Sequence, residues 1–244
     1  PPQYFPNNVR MNKTINTNID EILHKGTTPL DPSRFKELSD QKDVLVIDTR
    51  SKEAYSGEGT VPGAWYIGID GSFAPWVGTL VSDINQKIIF ITDDELRVHE
   101  IVTRFSRVGY DNTIGYLDGG IANWKSQGYQ LDFIESISAT KFATMLTEEK
   151  IEKPVDVRKE SEYFSEHVVG VENFPLDDIH SNFGQINPEK NYFLHCKSGY
   201  RSLIAASIFK ANGVKQVTNI EGGFKEIVKT KIQLSEFVCP TTLM

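Results

Sequence analysis

The feature that most constrains this chain is that it repeats itself. The segments VLVIDTRSKEAY (44–55) and KPVDVRKESEY (153–163) share the pattern Asp-x-Arg-x4-Tyr, met as Asp48, Arg50 and Tyr55 and again as Asp156, Arg158 and Tyr163. Further landmarks follow in the same order. VPGAWYI is echoed by VVGVENF, KIIFIT by NYFLHC, RVGYDN by ANGVKQ and YLDGGIANW by NIEGGFKEI, with the offset shortening slightly, as small loop deletions would cause. Any one of these matches is worthless alone, but their shared order makes the chain a tandem duplication, and internal repetition decides architecture before local signals do.

Within each copy, short β-branched runs alternate with helical patterns, as in VLVID, SKEAYSG, KIIFIT and RVHEIVTRFSRVGY. Such alternation predicts an α/β domain built on a mostly parallel sheet with helices on both faces. The expected boundaries are a linker over 1–24, rich in Asn and Pro, then one domain over 25–135 and a second over 136–244. A chain of 244 residues has room for two ordinary domains with normal cores. PPQYFPNNVRMNK reads as mid-protein sequence, so a preceding module is expected.

Charge and cysteine usage narrow the function. The formal charge of −7 and the lack of a basic tract argue against nucleic acid as a partner. The longest apolar runs (VLVI, KIIFI, LIAASIF) fall short of the roughly 18 residues a membrane span needs, so no membrane is expected. Cys196 and Cys239 are too few and too far apart for a disulfide framework or a zinc site, which predicts a reducing, cytoplasmic setting.

The chemistry concentrates in HCKSGYRS (195–202). YFLH reads as a short buried strand and Arg201 to Ala211 as a helix with Leu203, Ile204, Ser207 and Ile208 near one face and Asn212-Gly213 as its stop, so CKSGYR is the loop between them. The first turn of a helix offers unpaired N–H groups and a positive dipole end. A thiol placed there, with Lys197 and Arg201 nearby, is easier to ionise, and the thiolate is the nucleophile. Gly199 lets the loop turn its amides inward, and Ser198 and Ser202 add hydroxyls. The plainer reading of Cys196 is a small buried hydrophobe, but that would need neither the glycine nor the flanking cations.

These residues resemble the rhodanese family. The DVRKESEY segment, the CKSGYRS loop with four residues between Cys and Arg, and the Gly-Gly after the last strand match in order, over about residues 25 to 235. The resemblance implies that Cys196 takes the outer sulfur of a donor such as thiosulfate or a low-molecular-weight persulfide, becomes a persulfide, and hands that sulfur to sulfite or a thiol. It makes Cys196 and Arg201 catalytic and places Lys197, Ser198, Gly199, Tyr200 and Ser202 around the substrate. Cysteine-dependent phosphatases, and arsenate reductases like them, carry one residue more in this loop; that chemistry and a non-catalytic docking scaffold are the alternatives.

Aligned through Arg97 and Arg201, the first copy reads TDDELR where the second reads CKSGYR. Thr92 replaces the cysteine and Asp93, Asp94 and Glu95 make the loop acidic, so the first domain is expected to be catalytically silent. The Asp–Arg pairs recur in both copies and are expected to be internal ion pairs. Tyr55 and Tyr163 read as packing residues, and His167 as structural. His195 either biases the thiolate or makes a backbone hydrogen bond at the strand end. Cys239 lies outside the repeat and could meet Cys196 only if the tail folds back.

The order of a silent and then an active copy after a Pro/Asn-rich lead resembles bacterial fusions in which a metallo-β-lactamase-fold persulfide dioxygenase precedes tandem rhodanese domains. That resemblance implies iron in the preceding module, no cofactor or metal in this chain, and a role in sulfide detoxification.

Overall fold

The computed structural model describes residues 19–239, which form two units divided between Phe133 and Ile134. The linker expected over 1–24 is helical from Ile19. Helix Ile19–Gly26 buries Ile22, and Gly26 lies so close to Val102 that a Cβ there would meet its side chain. The rest of that expected linker lies outside the described residues.

The first unit carries strands β1 (Pro29–Leu30), β2 (Val44–Asp48), β3 (Trp65–Tyr66), β4 (Lys87–Ile91) and β5 (Thr113–Leu117), in the order β1-β5-β4-β2-β3 and parallel throughout. The second repeats this with β6 (Glu135–Ile137), β7 (Lys153–Asp156), β8 (Glu172–Asn173), β9 (Asn191–His195) and β10 (Gln216–Ile220), in the order β6-β10-β9-β7-β8. Central parallel strands are covered on both faces, so they are apolar nearly throughout: β4 reads KIIFI and buries all but its lysine. One core gathers Phe35, Ile89, Ile91, Leu117 and Trp124; another gathers Ile137, Phe142, Val168, Ile220 and Ile227.

Helix Tyr200–Ala211 departs from the expected one-sided pattern. Every residue from Ser202 to Phe209 is buried, because the helix is walled in on all sides and its composition carries no polar face there. It ends as expected, with Asn212 followed by Gly213 at φ 91°.

In the second unit the chain leaves β7 toward β8 and returns on the other side as β9. Adjacent strands whose connections diverge leave a crevice at their carboxyl ends, where open α/β sheets bind ligands. Asp156 ends β7 and His195 ends β9, directly before Cys196.

Candidate active site

Cys196 is 1% exposed, at the foot of the turn from β9 into helix Tyr200–Ala211. Gly199 adopts φ 96°, a left-handed conformation that other residues take at a cost. That turn aims the Gly199 amide at the sulfur, N to Sγ 3.1 Å. A fixed N–H donor facing a sulfur atom in a site shut off from water stabilises negative charge there.

Ser202 lies beneath the loop rather than at its mouth. Its oxygen is 3.6 Å from Sγ, while its hydroxyl donates to Asn219 Oδ1 at 2.7 Å. Lys197 and Ser198 are exposed and Tyr200 is half-buried at the helix start.

Arg201 is engaged by Glu162, a residue the sequence reading did not single out. Nη1 meets Oε2 at 2.6 Å and Nη2 meets Oε1 at 2.9 Å, a two-pronged pair. Burial opposes the charge on both partners, but the paired hydrogen bonds outweigh it: Glu162 is held below its ordinary pKa and Arg201 above its own. The signal lay in the repeat, since the position matching Glu162 in the first copy is Ala54.

The Gly-Gly pair, used above only as a landmark, holds the loop from the other side. A Cβ on Gly223 would collide with the Cys196 carbonyl and lie 2.9 Å from the Ser198 amide nitrogen. This close approach lets Phe224 N–H donate to Cys196 O at 2.7 Å and Lys225 N–H to Lys197 O at 3.1 Å.

Asp156 and Arg158 form the expected buried pair, Nη2 to Oδ2 2.7 Å, with Arg158 also donating to Glu166 O at 2.8 Å and lying over the Phe224 ring. His195 is fully buried between Phe142 and Phe224. Burial lowers its pKa, more than nearby Asp156 raises it, so the ring is neutral and sits 3.5 Å from the Cys196 carbonyl oxygen through Nδ1. This favours the strand-end reading over electrostatic bias of the thiol. His167 is structural: Nδ1 lies 2.9 Å from Tyr163 O and the ring stacks on Tyr163, whose hydroxyl donates to Val171 O at 2.7 Å.

The matching loop of the first unit is built differently. Thr92 Oγ1 accepts from the Asp94 amide at 3.2 Å, and Asp94 Oδ1 accepts from Leu96 N at 3.0 Å. No residue from Thr92 to Arg97 has a positive φ. Asp93 lies 3.6 Å from Arg50, and its pKa is raised, first by burial and then by Asp48 and Glu58. Arg97 is held by Asp70 at 2.8 Å and Glu100 at 3.0 Å.

Among the described residues no group of three or more His, Cys, Asp or Glu side chains is arranged to hold a metal ion. No helix there is long and apolar enough to cross a membrane.

Fold and site together define a tandem α/β protein with one cysteine loop retained and one replaced. The rhodanese-like domain model matches residues 31–127 and 138–230, and the chain belongs to that family. It is similar to the thiosulfate sulfurtransferase PspE of Escherichia coli, 33% identical over 81 residues, covering 32% of this chain and 77% of PspE. It is also similar to YrkF of Bacillus subtilis, a putative sulfur carrier protein, 30% identical over 93 residues, covering 38% of this chain and 50% of YrkF. YqhL of the same organism, uncharacterised, is 33% identical over 72 residues, 30% of this chain and 57% of YqhL. The chain thus spans little more than half the length of the two Bacillus relatives. A solved rhodanese-like domain protein from Staphylococcus aureus shares 26% identity with a TM-score of 0.38, covering 42% of this chain and all of that one.

Proposed function

We propose that the second domain is a sulfurtransferase that carries sulfane sulfur as a persulfide on Cys196, between a thiol persulfide or thiosulfate and sulfite or a thiol. The observation that carries this reading is the Gly199 amide 3.1 Å from Cys196 Sγ, in a loop with four residues between Cys196 and Arg201. The thiolate attacks the outer sulfur of thiosulfate, the S–S bond breaks with its electrons going to sulfite, and Cys196–S–S⁻ remains. With an organic persulfide the leaving group is the thiolate R–S⁻. Negative charge on the cysteine sulfur and on the persulfide it becomes is favoured by the Gly199 amide at Sγ and by the helix N-terminus. Lys197, Ser198 and Tyr200 border the incoming carrier; Ser202 supports the sulfur from below, and Arg201, fixed by Glu162, braces the loop.

The first domain is read as catalytically silent, because Thr92 offers no thiolate and Asp93 and Asp94 repel anions. In the full protein this chain follows a metallo-β-lactamase-fold persulfide dioxygenase that holds iron, and the pair works in cytoplasmic sulfide detoxification. The test is to incubate the protein with thiosulfate or glutathione persulfide and assay transfer to sulfite, thiol or cyanide. Turnover that depends on Cys196 supports the reading; hydrolysis of an aryl phosphate without sulfur transfer supports the phosphatase alternative instead.

A further inference from the structure

The C-terminal tail folds back onto the second domain. Val169 N–H donates to Gln233 O at 3.0 Å, Ser235 N–H to His167 O at 2.8 Å and Val238 N–H to Ser165 O at 2.8 Å, while Val168 bridges Leu234 in antiparallel sense. In the first unit the matching contact is shorter: Thr60 bridges Asp132 there. The longer tail forms one wall of a cleft of about 510 Å³ beside the cysteine loop. That volume lies in the range of small-molecule sites, roughly 300–1,000 Å³, and far exceeds what an inorganic sulfur anion needs.

The cleft has two chemical sides. Phe224, Val228, Leu234 and Phe237 give it apolar surface, with Phe237 67% exposed. Lys197 and Lys225 stand on the loop side, brought together by the backbone bond between them, and neither ammonium has an ion-pair partner among the described residues. Glu162 and Glu166 also line it, but the charge of Glu162 is spent on Arg201, which leaves two lysines against the one carboxylate of Glu166. Exposed aromatic surface next to unpaired cations on a protein surface marks a ligand site.

We propose that this tail-walled cleft binds the carbon-bearing body of an organic thiol persulfide, with a carboxylate at Lys197 and Lys225 and apolar atoms against Phe237. This rests on the sulfurtransferase reading and deepens it by separating organic from inorganic carriers. The reaction served is Cys196–S⁻ + R–S–SH → Cys196–S–SH + R–S⁻, in either direction, with R held by the cleft.

The test compares the second-order rate of sulfur loading onto Cys196 from glutathione persulfide and from thiosulfate, for the unaltered protein, Phe237→Ala and Lys225→Gln. Phe237→Ala is expected to slow loading from glutathione persulfide by about tenfold, the scale of one lost aromatic contact, and to leave loading from thiosulfate within about twofold. Lys225→Gln is expected to act in the same direction more weakly, and gives a second reading should the tail variant fail to fold. Equal losses on both carriers, or no loss on either, overturn the subsite. Failure of the unaltered protein to load sulfur from either carrier overturns the sulfurtransferase reading, and the subsite falls with it.

Discussion

The loops Thr92–Arg97 and Cys196–Arg201 occupy the same place in the same fold and do opposite things with it. In both, a strand delivers a side chain to the crevice, a glycine after the next strand presses on its carbonyl, and an arginine is held by carboxylates. In the second, Gly199 turns a backbone amide onto a sulfur. In the first, the amide that meets the strand-end side chain belongs to Asp94, which also caps the turn with its own carboxylate, and Asp93 brings negative charge to Arg50. A duplicated scaffold keeps the parts that hold it together and is free to lose the parts that do chemistry. The buried pairs Asp48–Arg50 and Asp156–Arg158 belong to the first kind, and Cys196 with Gly199 to the second.

The largest effect expected from that contrast is on chemistry. Cys196→Ser should lower sulfur transfer by roughly three orders of magnitude or more, measured as sulfur delivered to cyanide. Thr92→Cys should not create a second site, because Asp93, Asp94 and Glu95 surround position 92 with negative charge where Lys197, Ser198 and Gly199 surround Cys196; sulfur transfer by the double variant Thr92→Cys, Cys196→Ser would break the comparison.

The shared ion pairs make the next prediction. Asp156→Ala and Asp48→Ala each leave a buried guanidinium without its main partner, and should cost about 3–5 kcal/mol in the unfolding of their own domain. Chemical denaturation followed domain by domain checks this, and a large loss in one copy with none in the other would contradict a common structural role.

Glu162→Gln should lower kcat/KM for sulfur transfer by about tenfold while leaving the thermal midpoint nearly unchanged, since the amide keeps the shape and one acceptor oxygen but loses the second acceptor and the charge that fix Arg201. A parallel fall in the midpoint would make Glu162 a structural residue only.

The smallest effect is on stability against pH. His195 is opposite Asp156 in the sheet, where the first copy has Ile91 opposite Asp48. Burial lowers the His195 pKa from 6.5, so the unfolded chain takes up a proton that the fold refuses. The stability this residue contributes is whole above that value and falls, by at most about 1.4 kcal/mol per pH unit, as pH drops below it. His195→Ile should flatten that part of the profile for the second domain, and an unchanged slope would refute it.

Much of this was legible in the sequence because repetition and strand patterning are local signals. The parallel α/β architecture, the Cys196 loop and the Asp–Arg pairs all follow from spacing. What was hidden depends on contacts between distant segments: Glu162 reaching Arg201, Asn219 drawing the Ser202 hydroxyl away from the loop mouth, and the tail from Gln233 to Val238 closing a cleft. Helix Tyr200–Ala211, buried all round from Ser202 to Phe209, hides its packing because small residues such as Ala205 and Ala206 do not announce which face they turn inward.

The most direct test is to treat the protein with a limiting amount of sulfane donor and map the gained sulfur by peptide mass spectrometry. Sulfur appearing first on the Cys196 peptide, with Cys239 slower, is the expected result. Sulfur on Cys239 alone, or none on Cys196 from any donor, would contradict the claim that a Gly199-led turn makes this loop a sulfur carrier.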